Sequence, residues 1–312
     1  MKEICLDVKD NIKIYTTPIL VRQSVKEDFT NIDIKYRKQV EDFYRILSLN
    51  VKTEYLNAFF NNIKNVRIKK SVLIGLFYSA IYDGTYASYD ITKNKIFLYQ
   101  EELSGVDFYH ELLHLSSSIR NPKNNMYYCG FSQNSSKTTL GNAINEGYTE
   151  YLCSNIFEVD NDSYYQYEMI VAKLLEMIVG KNNMQKLYFN ADLYNLVNLL
   201  TNVNTLLRIK NFLFKTDYIL DKRDSSNTKI NEKVIRYMFD VNFFLIETYR
   251  NLLLKIYENK KISINELFYS YKQFMENINM LLDIDLPMDK DVLRSNINDT
   301  DFMHMIKIRK LI

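Results

Sequence analysis

Two of the chain's three histidines stand four residues apart in the stretch HELLH, residues 110–114, with a glutamate directly after the first. On a helix, side chains at i and i+4 share one face, so His110 and His114 would aim two imidazoles at one cation. Glu111, one position round, would lie beside a water on that cation. The chemistry these residue types offer is zinc-assisted hydrolysis, in which the imidazoles hold the ion and the carboxylate takes a proton from water. A helix supplies only two ligands at this spacing. A third must come from elsewhere, leaving the fourth position to water.

The pattern H-x-x-G-x-x-H would supply a third histidine, but Ser117 stands where its glycine belongs and Arg120 where its histidine belongs. The metzincin continuation therefore fails. A glutamate from a second helix is the other source, and TTLGNAINEGYTEYLCSNIF (138–157) provides one. Thr139 is suited to cap that helix, and Ile144, Tyr148, Tyr151 and Leu152 form its packing stripe. Glu146 and Glu150 are four apart and share a face. Gly147 between them has no side chain to hold that face away from the motif helix. Glu146 is then placed to reach the metal, and Glu150, one turn on, to accept a hydrogen bond from the non-ligating nitrogen of a zinc histidine.

With HELLH followed by N-E-x-x-x-E (Asn145, Glu146, Glu150), the chain resembles a gluzincin-type zinc metallopeptidase. The likeness covers about 85–157. It implies one Zn2+ per chain, with His110, His114 and Glu146 as ligands, Glu111 as general base and Glu150 supporting a ligand. The 31 residues between His114 and Glu146 make a longer connector than thermolysin-like and aminopeptidase relatives use. The resemblance also implies an oxyanion donor from the helical half or the connector. Tyr127, Tyr128, Tyr148, Arg236, Tyr237 and His304 all have suitable chemistry, and the sequence does not choose among them. Substrate is implied to lie extended along an edge strand, here Lys95–Tyr99, as an added β-strand.

Several elements must position these groups. Residues 32–49 and 52–63 have helical spacing. GTYASYDITKNKIFLY (84–99) alternates around the turn-forming TKNK and predicts a hairpin whose second strand is Lys95–Tyr99. Ser104 with Asp107 starts the motif helix and Pro122 stops it, giving a span of roughly 104–120. From 160 onward there is one glycine, Gly180, and one proline, Pro287. Ile170, Leu174 and Ile178 keep helical spacing before Gly180, and Val234, Met238, Val241, Leu245 and Leu252 keep it further on, with a loop at 221–229. The fold class expected is α+β: a zincin-like region with a small mixed sheet and active-site helix over 1–158, then an all-helical domain over 159–312 completing the cleft.

Composition narrows the function. Lys and Arg number 40 against 38 Asp and Glu, so charge does not argue for nucleic acid or an anionic membrane as partner. The N-terminal stretch lacks the apolar run of a signal peptide, and VLIGLFYSAIY (72–82) is too short to span a bilayer. Cys5, Cys129 and Cys153 are odd in number and widely spaced, which indicates neither a disulfide framework nor a cysteine zinc site. The expectation is a cytoplasmic zinc peptidase acting on a peptide or protein, an endopeptidase since no G-x-M-E-N exopeptidase signature precedes HELLH. Two alternatives stand beside it: a zincin-fold binding or regulatory protein with structural zinc, and a zinc hydrolase of a non-peptide amide.

Overall fold

A computed structural model describes residues 14, 29–71, 86–99, 105–121, 126–134, 139–158 and 164–283. Among these the chain is α+β, with two small sheets in the N-terminal half and helices throughout the C-terminal half. Helix α1 (Ile34–Asn50) starts where the Asp33 carboxylate accepts the Lys35 N–H at 3.0 Å, and it buries Tyr36, Val40, Phe43, Tyr44 and Leu47 along one face. A 3-10 turn (Thr53–Tyr55) leads into α2 (Asn57–Ile63). Both helices expected here are present, the second broken in its first turn.

Strand β1 (Arg67–Lys70) runs parallel to β3 (Lys95–Leu98), and β2 (Ala87–Asp90) runs antiparallel to β3. The hairpin around TKNK is formed, with Asp90 accepting the Thr92 N–H at 2.9 Å inside the turn. The sheet order β1-β3-β2 corrects one expectation, because Lys95–Leu98 is the middle strand and is hydrogen-bonded on both sides. The edge beside the motif helix is β2. Sequence alternation reveals a hairpin but not which of its strands recruits a third partner.

The motif helix α3 (Gly105–Ser116) is shorter than expected. Ser116, Ser117 and Ser118 turn their hydroxyls back onto the carbonyls of Leu112, Leu113 and His114 at 2.5, 3.0 and 2.6 Å. The Ser117 N–H also bonds to the carbonyls of Leu113 and His114, at 3.1 and 3.2 Å, so the hydroxyls add second bonds to carbonyls of the closing turn, and the chain leaves as a strand. Strands β4 (Ser118–Asn121), β5 (Met126–Cys129), β6 (Ser132–Asn134) and β7 (Thr139–Leu140) form an antiparallel meander in that order. The long connector between His114 and Glu146 is this sheet.

Helix α4 (Asn142–Phe157) follows at once. Thr139 does not cap it, since that residue lies in β7. Gly141 occupies the N-cap with φ 80° and offers no side chain. Asp217, from a distant helix, accepts the N–H groups of Gly141 and Ala143 at 2.7 and 2.8 Å instead. The rest is helical: α5 (Gln166–Val179), α6 (Lys181–Phe189), α7 (Leu193–Leu200), α8 (Leu206–Lys222), α9 (Thr228–Glu258) and α10 (Ile264–Asp283). Gly180 ends α5 at φ 90°, as its position suggested. Residues 72–82, Ser104, Pro122, Pro287 and His304 lie outside the described residues.

One hydrophobic core runs from Ile14 to Leu281 and so joins the elements on either side of the 158/159 boundary. The stacked Phe43 and Phe157 rings, 5.1 Å apart, and the Tyr109–Phe157 contact at 4.8 Å tie α1, α3 and α4 together within it. Among the described residues, no helix is long and apolar enough to cross a membrane.

Candidate metal centre

Helix α3 packs against α1, α2, β2 and α4. Phe108, Leu112, Leu113 and Leu115 are fully buried and fix its rotation. Asn62 of α2 holds its C-terminal end by donating to the carbonyls of Leu115 and Ser118 at 2.9 and 2.8 Å. Burial of the apolar stripe leaves His110, Glu111 and His114 facing the gap between β2 and α4. The close approach at Gly147 is to α5 rather than to the motif helix, a correction to the sequence reading. A Cβ there would lie 2.1 Å from the carbonyl oxygen of Glu168, so the backbones of α4 and α5 touch at this point.

The structure brings His110, His114 and Glu146 together as a group with one ligand atom each. His110 Nε2 and His114 Nε2 are 3.0 Å apart, and Glu146 Oε2 lies 3.4 Å from the first and 3.2 Å from the second. Three donors about 2.05 Å from one tetrahedral centre are separated by about 3.3 Å, as follows from ordinary zinc–nitrogen and zinc–oxygen distances. The triangle therefore fits a tetrahedral ion with one corner free. The side chains are 13%, 10% and 15% exposed, so one face of the group meets solvent.

Glu150, one turn beyond Glu146, places Oε2 3.1 Å from His110 Nδ1. The carboxylate thus meets the nitrogen that points away from the triangle, which is where the sequence reading placed it. Burial opposes protonation of His110, but hydrogen bonds to Glu146 and Glu150 outweigh it and hold its pKa at about 9. His114 is raised in the same sense, burial again being overcome, here chiefly by Glu146. Burial alone would raise Glu146, yet His114 and His110 draw it far below the carboxylate range. These shifts describe a negative pocket that favours positive charge at the ring nitrogens.

Glu111 is buried. It neighbours the triangle without joining it and lies near the backbone N–H of Tyr89 in β2. Burial raises its pKa against the lowering influence of His114 and His110. A carboxylate with a raised pKa is a better proton acceptor.

Of the residues with oxyanion-donor chemistry, two have their hydroxyls committed elsewhere. Tyr148 donates to Glu176 at 2.6 Å and Tyr128 to Met126 Sδ at 3.5 Å. Tyr127 pairs with Arg120 across the meander, and Tyr237 packs against Tyr218 on the outer helices beside Arg236. Among the described residues, Tyr165, at the N-cap of α5, brings an aromatic ring to His110. Its ring lies 6.0 Å from that of His110 at an angle of 16°. Burial and then the charge of Glu146 push its phenol far above the ordinary value, which keeps it a hydrogen-bond donor. Sequence reasoning missed Tyr165 because DSYYQYE offers three tyrosines in a row of polar residues, and only the α4–α5 contact at Gly147 decides which one faces α3.

Arg223, at the end of α8, anchors that first turn of α5. It pairs with buried Glu168 at 2.7 Å and lies 4.0 Å from the Tyr164 ring. No protein-family model, curated protein or solved structure matches the chain.

Proposed function

We propose that the chain is a zincin-like, zinc-dependent peptide hydrolase of the gluzincin kind. The observation that carries this reading is the near-tetrahedral triangle of His110, His114 and Glu146 with buried Glu111 beside it. Zinc bound there supplies Lewis acidity, polarising an amide carbonyl and lowering the pKa of water from about 15.7 toward 7. Glu111 takes a proton from the attacking water at a carboxylate oxygen and delivers it to the amine nitrogen as the C–N bond breaks. Tyr165 donates its hydroxyl hydrogen to the charge that develops on the carbonyl oxygen. A purely structural site has no use for a carboxylate at position 111.

The β2 edge supports an extended peptide as substrate. Tyr99 N–H bonds to Tyr86 O, so by antiparallel alternation Ser88 and Asp90 face β3 while Ala87 and Tyr89 face outward. Glu111 lies near the outward N–H of Tyr89. The proton acceptor therefore sits at the edge to which a peptide strand would add.

Glu111→Gln keeps size and hydrogen bonding but cannot accept the proton. Cleavage of a peptide library by this variant should fall at least 10²–10⁴-fold, roughly the share general base catalysis supplies, with zinc retained. Near wild-type cleavage by Glu111→Gln would reject the mechanism.

A further inference from the structure

The hydrogen-bond inventory around His114 assigns a role to the connector sheet. With Nε2 turned to the metal, a neutral imidazole carries its hydrogen on Nδ1, and a buried N–H needs an acceptor. Two atoms lie 3.5 Å from His114 Nδ1: Asn145 Nδ2 and Cys129 Sγ. The Asn145 amide is fixed in orientation. Its Oδ1 receives the Phe131 N–H at 3.3 Å, and its Nδ2 donates to Glu146 Oε1 at 3.3 Å. Flipping the amide would set two donors against each other at Phe131 N–H. It would also turn an acceptor toward the Glu146 carboxylate. Gly130 enforces the contact, since φ +51° and a Cβ site only 2.1 Å from Asn145 Oδ1 leave room for no side chain. Asn145 therefore offers His114 a donor where an acceptor is required.

We propose that Cys129 is the positioning residue for His114, its sulfur accepting the Nδ1 hydrogen so that Nε2 stays directed at the metal. The proposal rests on the metal-site reading above. The thiol has an outlet for its own hydrogen, because the His114 carbonyl oxygen lies 3.6 Å from Sγ. The β5–β6 turn delivers the sulfur: Cys129 pairs with Ser118 on one side and with Ser132 on the other, directly behind the end of α3. The two ligand histidines are thus backed unequally. His110 has a carboxylate at 3.1 Å, whereas His114 has sulfur, a weaker acceptor. A meander of four strands between the second histidine and the ligand glutamate has a use under this arrangement, since it carries the acceptor that α4 does not supply.

The test pairs zinc affinity, from chelator competition, with long-range proton–nitrogen spectra of the full chain labelled at histidine, of which there are only three. Zinc-loaded wild type should show His114 protonated at Nδ1 with a slowly exchanging hydrogen. Cys129→Ala should lose about 10-fold or more in affinity and exchange that hydrogen faster, whereas Cys129→Ser, which keeps an acceptor, should recover most of both. Wild-type affinity and exchange in Cys129→Ala would overturn the proposal. If that variant does not fold, a wild-type spectrum with His114 protonated at Nε2 and metal on Nδ1 would overturn it equally. Failure of the wild type to bind zinc at all is a separate result, which removes the metal reading and this one with it.

Discussion

Tyr165 stands over His110 with its phenol held protonated, and its chemistry is separable from that of the proposed ligands. If it stabilises developing charge on the carbonyl oxygen, Tyr165→Phe should lower kcat about 10²–10³-fold, the usual loss of one such donor. KM and bound zinc should hardly change. Steady-state kinetics with parallel metal analysis checks this, and a rise in KM at constant kcat would mean that Tyr165 only holds substrate. At this scale the sequence was most informative where spacing alone defines geometry. His110 and His114 follow from the i, i+4 rule, with Glu111 one position round, and Glu146 with Glu150 follow from the same rule on a second helix. Tyr165 and Cys129 carry no such signature, because their places depend on a helix–helix contact at Gly147 and on a hairpin turn at Gly130.

Helix α4 is held at its N-terminus by a residue far along the chain. Gly141 cannot cap it, and Asp217 of α8 receives the N–H groups of Gly141 and Ala143. Burial outweighs those bonds and raises the Asp217 carboxyl from the ordinary 3.8 to about 6. Between these values the folded chain keeps a proton that the unfolded chain has released, so this contribution to stability is present below about 4 and is lost as pH rises through about 6. At about 1.4 kcal/mol per pKa unit it is worth up to about 3 kcal/mol. Denaturant titrations should show wild type losing stability relative to Asp217→Asn as pH goes from 4 to 7, and a pH-independent difference would contradict it. The α3 boundary shows why element ends were less legible than elements. Periodicity continues through Ile119, but three serines turn their hydroxyls back onto carbonyls of the closing turn and β5 pairing takes the chain over.

At the scale of the whole molecule, the α+β class and the helical character of 164–283 were legible because apolar spacing and the scarcity of glycine report them directly. Strand order was not, because it depends on which edge a third strand joins. That is why β2 rather than Lys95–Leu98 proves to be the edge beside the motif helix. The larger hydrophobic core among the described residues, reaching from Ile14 to Leu281, holds α3, α4 and α5 in mutual register, and the triangle of His110, His114 and Glu146 exists only while that register does. The account therefore turns on whether the triangle takes up an ion. Elemental analysis of purified protein, dialysed after incubation with zinc, tests this most directly when wild type is compared with His114→Ala and Glu146→Ala. About one zinc per wild-type chain and a large deficit in both variants is the predicted result, since a tetrahedral site loses an inner ligand in each. Metal-free wild type, or full occupancy in both variants, would contradict it.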